Sequence, residues 1–359
     1  MRILHVINSM SLKSGGPPRS LIPIANHQSK KHEVTVISSS NENFNTEKFK
    51  YINIFFIIKK FSFPRLNSIK TLFKSIDESE YIHIHNWWNF LSTLTLIFSY
   101  FLKKKLIVTP HGSLHKFNIK KSIVKKLLLY YLIEIFFIRN IKGIHYLTKN
   151  ELENCFFKKL KIKKIIISNS INIDDIKLNI SYESDYLLYM GRLAKNKNVD
   201  FIIDVVDLLF KNHNQIIYLK IIGPDYGEKK NLVSKIKNLD LTDRVQILDP
   251  IYSSERYSYI KNAKALLLAS DYECNSIVVA EALALGVIVI SSKECNTEEI
   301  AQYGGCISIE KNKFLFASKI DQILKNNHDG IKIKAKQYSI EYLDLYKNVK
   351  KLNDFYLKF

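Results

Sequence analysis

The chain has 359 residues, 47% of them hydrophobic and 25% charged, with a formal net charge of +20. This length suits two domains rather than one compact core, and the composition is that of an ordinary globular protein. The four Cys, at 155, 274, 295 and 306, form no CxxC pair, which excludes a zinc-ribbon or disulfide framework and fits a reducing cytosol.

The charge is uneven. Residues 1–178 hold 29 basic and 11 acidic side chains, a net of +18, whereas residues 179–359 hold 25 and 23, a net of +2. One face of the first half is expected to meet something anionic.

In chain order, the first half offers strands at 2–7 (RILHVI), 34–38, 81–85 (YIHIH), 106–110 and 143–147. The start, MRILHVINS, reads as a first strand and lacks the form of a signal peptide. The segment 90–102 (FLSTLTLIFSYFL) is too short to span a bilayer. Residues 103–142 carry Lys103, Lys104, Lys105, Lys116, Lys120, Lys121, Lys125, Lys126, Arg139 and Lys142 against Glu134 alone. Apolar residues are interleaved in KKSIVKKLLLYYLIEIFFIR, which reads either as a basic amphipathic helix lying on anionic lipid or as a solvated helix over the core. The tract 169–185 is polar and aperiodic and marks the expected boundary, giving domains 1–178 and 179–335. In the second half, strands are expected at 186–190, 218–223, 244–248, 265–270 and 287–291. The tail 336–359 reads as an aromatic helix that packs on either domain, the first included. Such runs are buried on both faces, and their alternation with helices implies βαβ units. The fold class is therefore α/β, with two Rossmann-like doubly wound domains and a ligand cleft at the carboxyl ends of their strands.

Two stretches carry chemistry. GRLAKNKN (191–198) follows a strand and brings Arg192 and Lys197 within reach of a diphosphate, one as a fork and one as a point charge. In SDYECNSIVVAEALALG (270–286), a loop leads into a helix capped near Asn275 or Ser276 and ended by Gly286. Glu281 stands alone in that apolar helix, so it needs either an ion-pair partner or a ligand. Trp87 and Trp88 suit packing better than sugar stacking, and His83 and His85 alternate on a strand without a metal role, His85 being expected to point into the cleft.

Together these motifs resemble the GT-B glycosyltransferases of family 4, which are retaining enzymes marked by GRLAKNKN followed by Glu273 and Glu281 in an E-x7-E spacing. SGGPPRSL (14–21), HIHNWWN (83–89), TPHGSL (109–114) and LTKNELE (147–153) are similar to the polysaccharide and O-antigen branch, and ISNSIN (167–172) stands at the inter-domain turn. The resemblance implies that Glu281 accepts from the ribose hydroxyls of a nucleotide sugar, that Glu273 contacts the donor sugar, and that the N–H groups of Asn275, Ser276 and Ile277 hold sugar hydroxyls. It implies that Arg192 and Lys197 bind the diphosphate, that the backbone of Gly16 approaches it, and that His111 sits beside the reacting face. Residues 223–227 and 248–251 would border the base.

By the same resemblance the reaction is metal-independent transfer of a hexosyl group from a UDP- or GDP-sugar, with no cofactor, to a lipid-linked or growing surface polysaccharide at the inner face of the cell membrane. The chain departs from the pattern at Cys274, Ser276, Ser168, Ser170 and Asn198. The first two bear on donor choice. A nucleotide-sugar epimerase or a phosphorylase on the same fold is the alternative, although no Lys can be nominated to hold pyridoxal phosphate. A nucleic-acid partner is disfavoured because base readout prefers Arg, and Lys outnumbers Arg 47 to 7. No strand is followed by GxGxxG, which excludes a Rossmann dehydrogenase.

Overall fold

A computed structural model describes residues 1–39, 49–53, 66–120, 122–173, 176, 185–213 and 217–359. The chain forms two α/β units, one of residues 1–168 with 345–359 and one of residues 169–344.

The first unit is built on a parallel sheet of β1 (Arg2–Ile7), β2 (Glu33–Ser38), β3 (Lys50–Asn53), β4 (Tyr81–His85), β5 (Lys105–Thr109), β6 (Ile141–Tyr146) and β7 (Lys163–Ile166). Their order is β3-β2-β1-β4-β5-β6-β7. The direction of winding reverses between β1 and β4, so the loops after these strands flank a switch point. Every residue of β4 is buried, as expected of a strand covered on both faces.

The second unit holds β8 (Tyr186–Met190), β9 (Tyr218–Ile222), β10 (Val245–Leu248), β11 (Ala265–Leu268), β12 (Ile288–Ser292) and β13 (Ile307–Ile309), all parallel, in the order β10-β9-β8-β11-β12-β13. Its switch point lies between β8 and β11. One apolar core packs on each face of this sheet.

The division between the units falls at Ser168/Asn169, earlier than the expected 178/179. Packing explains this. Asn169 is tied to Asn275 through its main-chain N–H (3.0 Å) and its side-chain amide (2.7 Å), and Ile171 is buried with Tyr186 and Leu188 in the second unit. Of the polar tract, residues 174, 175 and 177–184 lie outside the described residues.

The tail is two helices, not one. Asp329–Tyr342 belongs to the second unit and Leu345–Tyr356 to the first. Between them the Leu343 carbonyl accepts from Ile171 N–H at 2.8 Å, which ends the first helix on the second unit. Phe355 then packs so closely over Gly143 of β6 that a Cβ there would stand 2.6 Å from its ring.

The basic segment is likewise not one helix. Lys116–Ile119 is a single turn, Ile123–Leu129 is α-helical, Tyr130–Glu134 widens to a π-turn, and Ile135–Phe137 and Ile138–Asn140 close it. Glu134 closes the π-turn and faces inward. It is fully buried and accepts from Trp87 Nε1 at 2.8 Å and from Thr93 Oγ1 at 3.0 Å. Burial raises the pKa of this carboxyl, and the two hydrogen bonds oppose the rise. Trp87 is therefore a packing residue. Trp88 donates to the Ser113 carbonyl at 3.0 Å.

Candidate functional site

In the second unit, four loops at the carboxyl edge of the sheet carry the candidate residues. The loop after β8 turns at Gly191 and runs through Arg192 to Lys197. Leu193 N–H donates to Pro224 O and Tyr226 N–H to Leu193 O, both at 2.9 Å, so the loop after β9 holds it. The two loops touch at their glycines. A Cβ on Gly223 would lie 1.8 Å from the Gly191 carbonyl oxygen, which leaves room for no other residue. Asn198 ends the loop in a left-handed conformation, φ +49°, and its amide donates to Ala269 O at 2.8 Å and Asp271 Oδ1 at 2.7 Å.

The arginine and lysine are differently placed. Arg192 is partly exposed, with its guanidinium 5.3 Å from the centre of the Tyr226 ring, and it has no carboxylate partner among the described residues. Lys197 is 8% exposed, and its Nζ stands 2.5 Å from Glu273 Oε1. Glu273 Oε1 also accepts from Ser270 Oγ at 2.7 Å, and its main-chain oxygen accepts from the Asn296 amide. An ammonium has three donors, so Lys197 keeps two for a further anion while it holds Glu273.

Ser276 is the N-cap of the helix Ile277–Leu285, in extended conformation and without a side-chain cap bond. The first N–H groups of this helix have no acceptor within it. Among the described residues, the positive end of the helix is thus open beside Asn275, Ser276 and Ile277. Gly286 ends it in the left-handed region at φ +69°.

Glu281, 2% exposed, has a partner within the chain. Arg256 reaches its Oε1 through Nε (2.9 Å) and a terminal nitrogen (2.8 Å). Arg256 also donates to Tyr252 O and Tyr257 Oη, at 3.2 and 2.8 Å. Burial works against its charge, but the Glu281 carboxylate and the Tyr257 hydroxyl outweigh this and raise its pKa. Both Arg256 contacts fall on one carboxylate oxygen, and among the described residues Oε2 of Glu281 takes no hydrogen bond. The ion-pair reading of Glu281 thus holds for one oxygen. Sequence reasoning missed Arg256, which lies on the helix Glu255–Lys261 and looks solvent-facing in sequence. Its signal was scarcity, because an arginine is unusual where lysine is the default cation.

In the first unit, Gly16 opens the helix Gly16–Gln28, with Gly15 before it at φ +109° and a proline in its first turn. His111 follows β5 at φ +49°. It is half-buried, and burial lowers its pKa to about 3. Its Nε2 lies 3.1 Å from Nδ1 of His85, which is itself buried and bonded onward to His5 rather than open to a ligand. Ring nitrogens of His5, His83 and His85 approach within 4.8 Å, the spacing of a metal site. Both nitrogens of His83 are already engaged, by Tyr356 and Thr109 at 2.6 Å each, so a metal would have to displace them. The structure has Gly16 and His111 in the first unit and Arg192, Lys197, Glu273, Asn275, Ser276, Ile277 and Glu281 in the second, these seven on the segments that follow the neighbouring strands β8 and β11.

Residues 170–342 match the family described as Glycosyl transferases group 1. The capsular polysaccharide biosynthesis glycosyltransferase CapH of Staphylococcus aureus is 26% identical over 84% of each chain. A GalNAc-alpha-(1->4)-GalNAc-alpha-(1->3)-diNAcBac-PP-undecaprenol alpha-1,4-N-acetyl-D-galactosaminyltransferase of Campylobacter jejuni is 24% identical, over 92% of this chain and 84% of that one. Among solved structures, Anabaena Alr3699/HepE in complex with UDP superposes with a TM-score of 0.80 at 15% identity, over the whole of both chains. That likeness shows the GT-B fold.

Proposed function

We propose, for a chain whose residues 170–342 match the glycosyl transferases group 1, that it is a retaining glycosyltransferase of surface-polysaccharide assembly. It moves a hexosyl group from a UDP- or GDP-sugar to a lipid-linked saccharide. The observation that carries this is the set of unused donors and acceptors at one edge of the second sheet. Among the described residues, Arg192 lacks a carboxylate partner, Lys197 has two donors left, and Glu281 has one oxygen left. A diphosphate supplies what the cations lack, and a ribose diol supplies what the carboxylate lacks.

Each residue then has a task. Arg192 and Lys197 hold the diphosphate and stabilise the charge that grows on it as the glycosidic bond breaks. They supply this charge without a metal. The open end of the helix at Asn275, Ser276 and Ile277 orients sugar hydroxyls. Glu273, held by Lys197 and Ser270, lies against the sugar. To Gly16 and His111 of the first unit we assign the places that the resemblance implies, beside the phosphates and beside the transferred sugar.

The acceptor reading draws on the name of the Campylobacter relative, whose substrate carries undecaprenol, and on one surface of this chain. Val124, Leu128, Leu132 and Phe136, four residues apart, are all more than half exposed, with Lys125 exposed among them. No described helix is long and apolar enough to cross a membrane. An apolar stripe rimmed by lysines suits lying on an anionic bilayer at the cytoplasmic face.

The test is calorimetric titration of the protein, in EDTA, with UDP-, GDP-, ADP- and dTDP-sugars. One donor should saturate, and Glu281→Gln should weaken it about 10- to 100-fold, as expected for a lost bond to a charged group. Affinity unchanged in Glu281→Gln would remove the ribose role.

A further inference from the structure

The first unit contains a buried string of hydrogen bonds that the transferase reading does not use, and one end of it has a fixed polarity. His145 Nε2 stands 2.8 Å from the carbonyl oxygen of Ile167. A carbonyl only accepts, so Nε2 carries the proton. Burial keeps His145 neutral, with its pKa lowered to about 4, so Nδ1 accepts from Thr109 Oγ1 at 2.9 Å. The Thr109 oxygen must then accept from His83 Nε2, 2.6 Å away. His83 is also held neutral by burial, so its Nδ1 accepts from the Tyr356 hydroxyl at 2.6 Å. The phenol has now given its proton, and the Gln28 side chain beside it works to lower its pKa, the effect of an NH2 turned toward the phenol oxygen.

This fixes which way the Gln28 amide faces. Its NH2 points to Tyr356 and also donates to Asn353 Oδ1 at 2.8 Å. Its oxygen points to His5 Nε2 at 2.7 Å, which must donate. His5 Nδ1 then accepts from His85 Nε2 at 3.0 Å, and His85 Nδ1 accepts from His111 Nε2 at 3.1 Å. A reversed amide would reverse every bond beyond it and would set its oxygen against a phenol with no proton to give.

We propose that Gln28 is a positioning residue that, through His5 and His85, holds His111 as the Nε2–H tautomer with a bare Nδ1. In the transferase reading, on which this consequence rests, His111 then accepts a hydrogen bond from a sugar hydroxyl and cannot donate one. Among the described residues His111 Nδ1 has no partner, so the lone pair is available.

The test is two-bond 1H–15N spectroscopy of the imidazole rings in the full-length protein labelled with 15N-histidine, with His111→Asn to locate the His111 signals. In the wild type, His111, His85 and His5 should each show a protonated Nε2 and a bare Nδ1. In Gln28→Leu, which removes the acceptor, and in Tyr356→Phe, which frees the amide to turn, the His111 nitrogens should shift toward a mixture of tautomers. A protonated Nδ1 on His111 in the wild type would overturn the proposal, as would an unmixed Nε2–H tautomer kept in both variants. The spectra need no sugar nucleotide, so failure of the donor titration leaves this result standing, and the two failures are distinct.

Discussion

Glu281 shows how one side chain serves structure and ligand together. A carboxylate at 2% exposure in an apolar helix demands a partner, and Arg256 meets that demand on one oxygen. Breaking a buried pair from either side leaves a charge in low dielectric, at a cost of about 3–5 kcal/mol. Arg256→Met should therefore lower the unfolding free energy by about that amount, and Glu281→Gln by less, because a neutral amide still accepts from the guanidinium. The double variant should lose less than the sum of the singles. Urea titration of the four proteins measures this, and simple additivity would show the pair to be uncoupled. The residues marked by the motif, Arg192, Lys197, Glu273 and Glu281, were legible because they recur at fixed spacings in the loop–helix segments that follow two strands. Arg256 was not, because its partner is twenty-five positions away and spacing alone does not connect them.

At the scale of elements, ten of the thirteen strands among the described residues were readable as short apolar runs. The three that were missed, β3 (KYIN), β7 (KKII) and β13 (ISI), have three or four residues each. β3, β7 and β13 are edge strands, where one neighbour and partial exposure relax the need for apolar residues. The basic segment misled differently. Its composition fits one amphipathic helix, but it is interrupted by a π-turn that ends on a buried acid, Glu134, bonded to Trp87. The exposed apolar stripe survives that break, and its lysines give it a charge test. Each Lys near an anionic surface contributes about 1 kcal/mol. Replacing Lys120, Lys125 and Lys126 with Gln should therefore weaken co-sedimentation with phosphatidylglycerol vesicles about 100-fold and leave neutral vesicles unaffected. Lys121, the fourth of this cluster, lies outside the described residues. Binding to anionic vesicles that is unaltered in the triple variant would remove the membrane surface from the functional reading.

At the scale of the molecule, the two units differ in how they meet acid. The first unit buries His5, His83, His85, His115 and His145, while the second buries no histidine among its described residues. Burial lowers His5 and His145 from 6.5 to about 4 and holds His83 and His85 well below their ordinary value. In the unfolded chain each of these rings takes a proton near pH 6.5; in the folded unit His5 and His145 refuse it until about pH 4, and burial holds His83 and His85 neutral well below their ordinary value. The unfolded state thus binds more protons across that window, so stability is full above about pH 6.5 and falls as the pH drops toward 4. Each ring held neutral contributes about 1.4 kcal/mol per pH unit to that fall. Two such rings alone would remove about 4 kcal/mol between pH 6.5 and 5, a large share of a typical domain's stability. Hydrogen exchange at pH 7 and pH 5 should therefore show protection lost first in β1, β4, β5 and β6, with β8, β9, β11 and β12 retained. Equal loss in both sheets would mean that the acid response comes from groups the two units share, such as their carboxylates, and not from the histidine string. Replacing His5 with Gln tests the same point from the other side. A ring that no longer exists cannot draw protons into the unfolded chain, so this variant should unfold less steeply with acid even if it is less stable at pH 7.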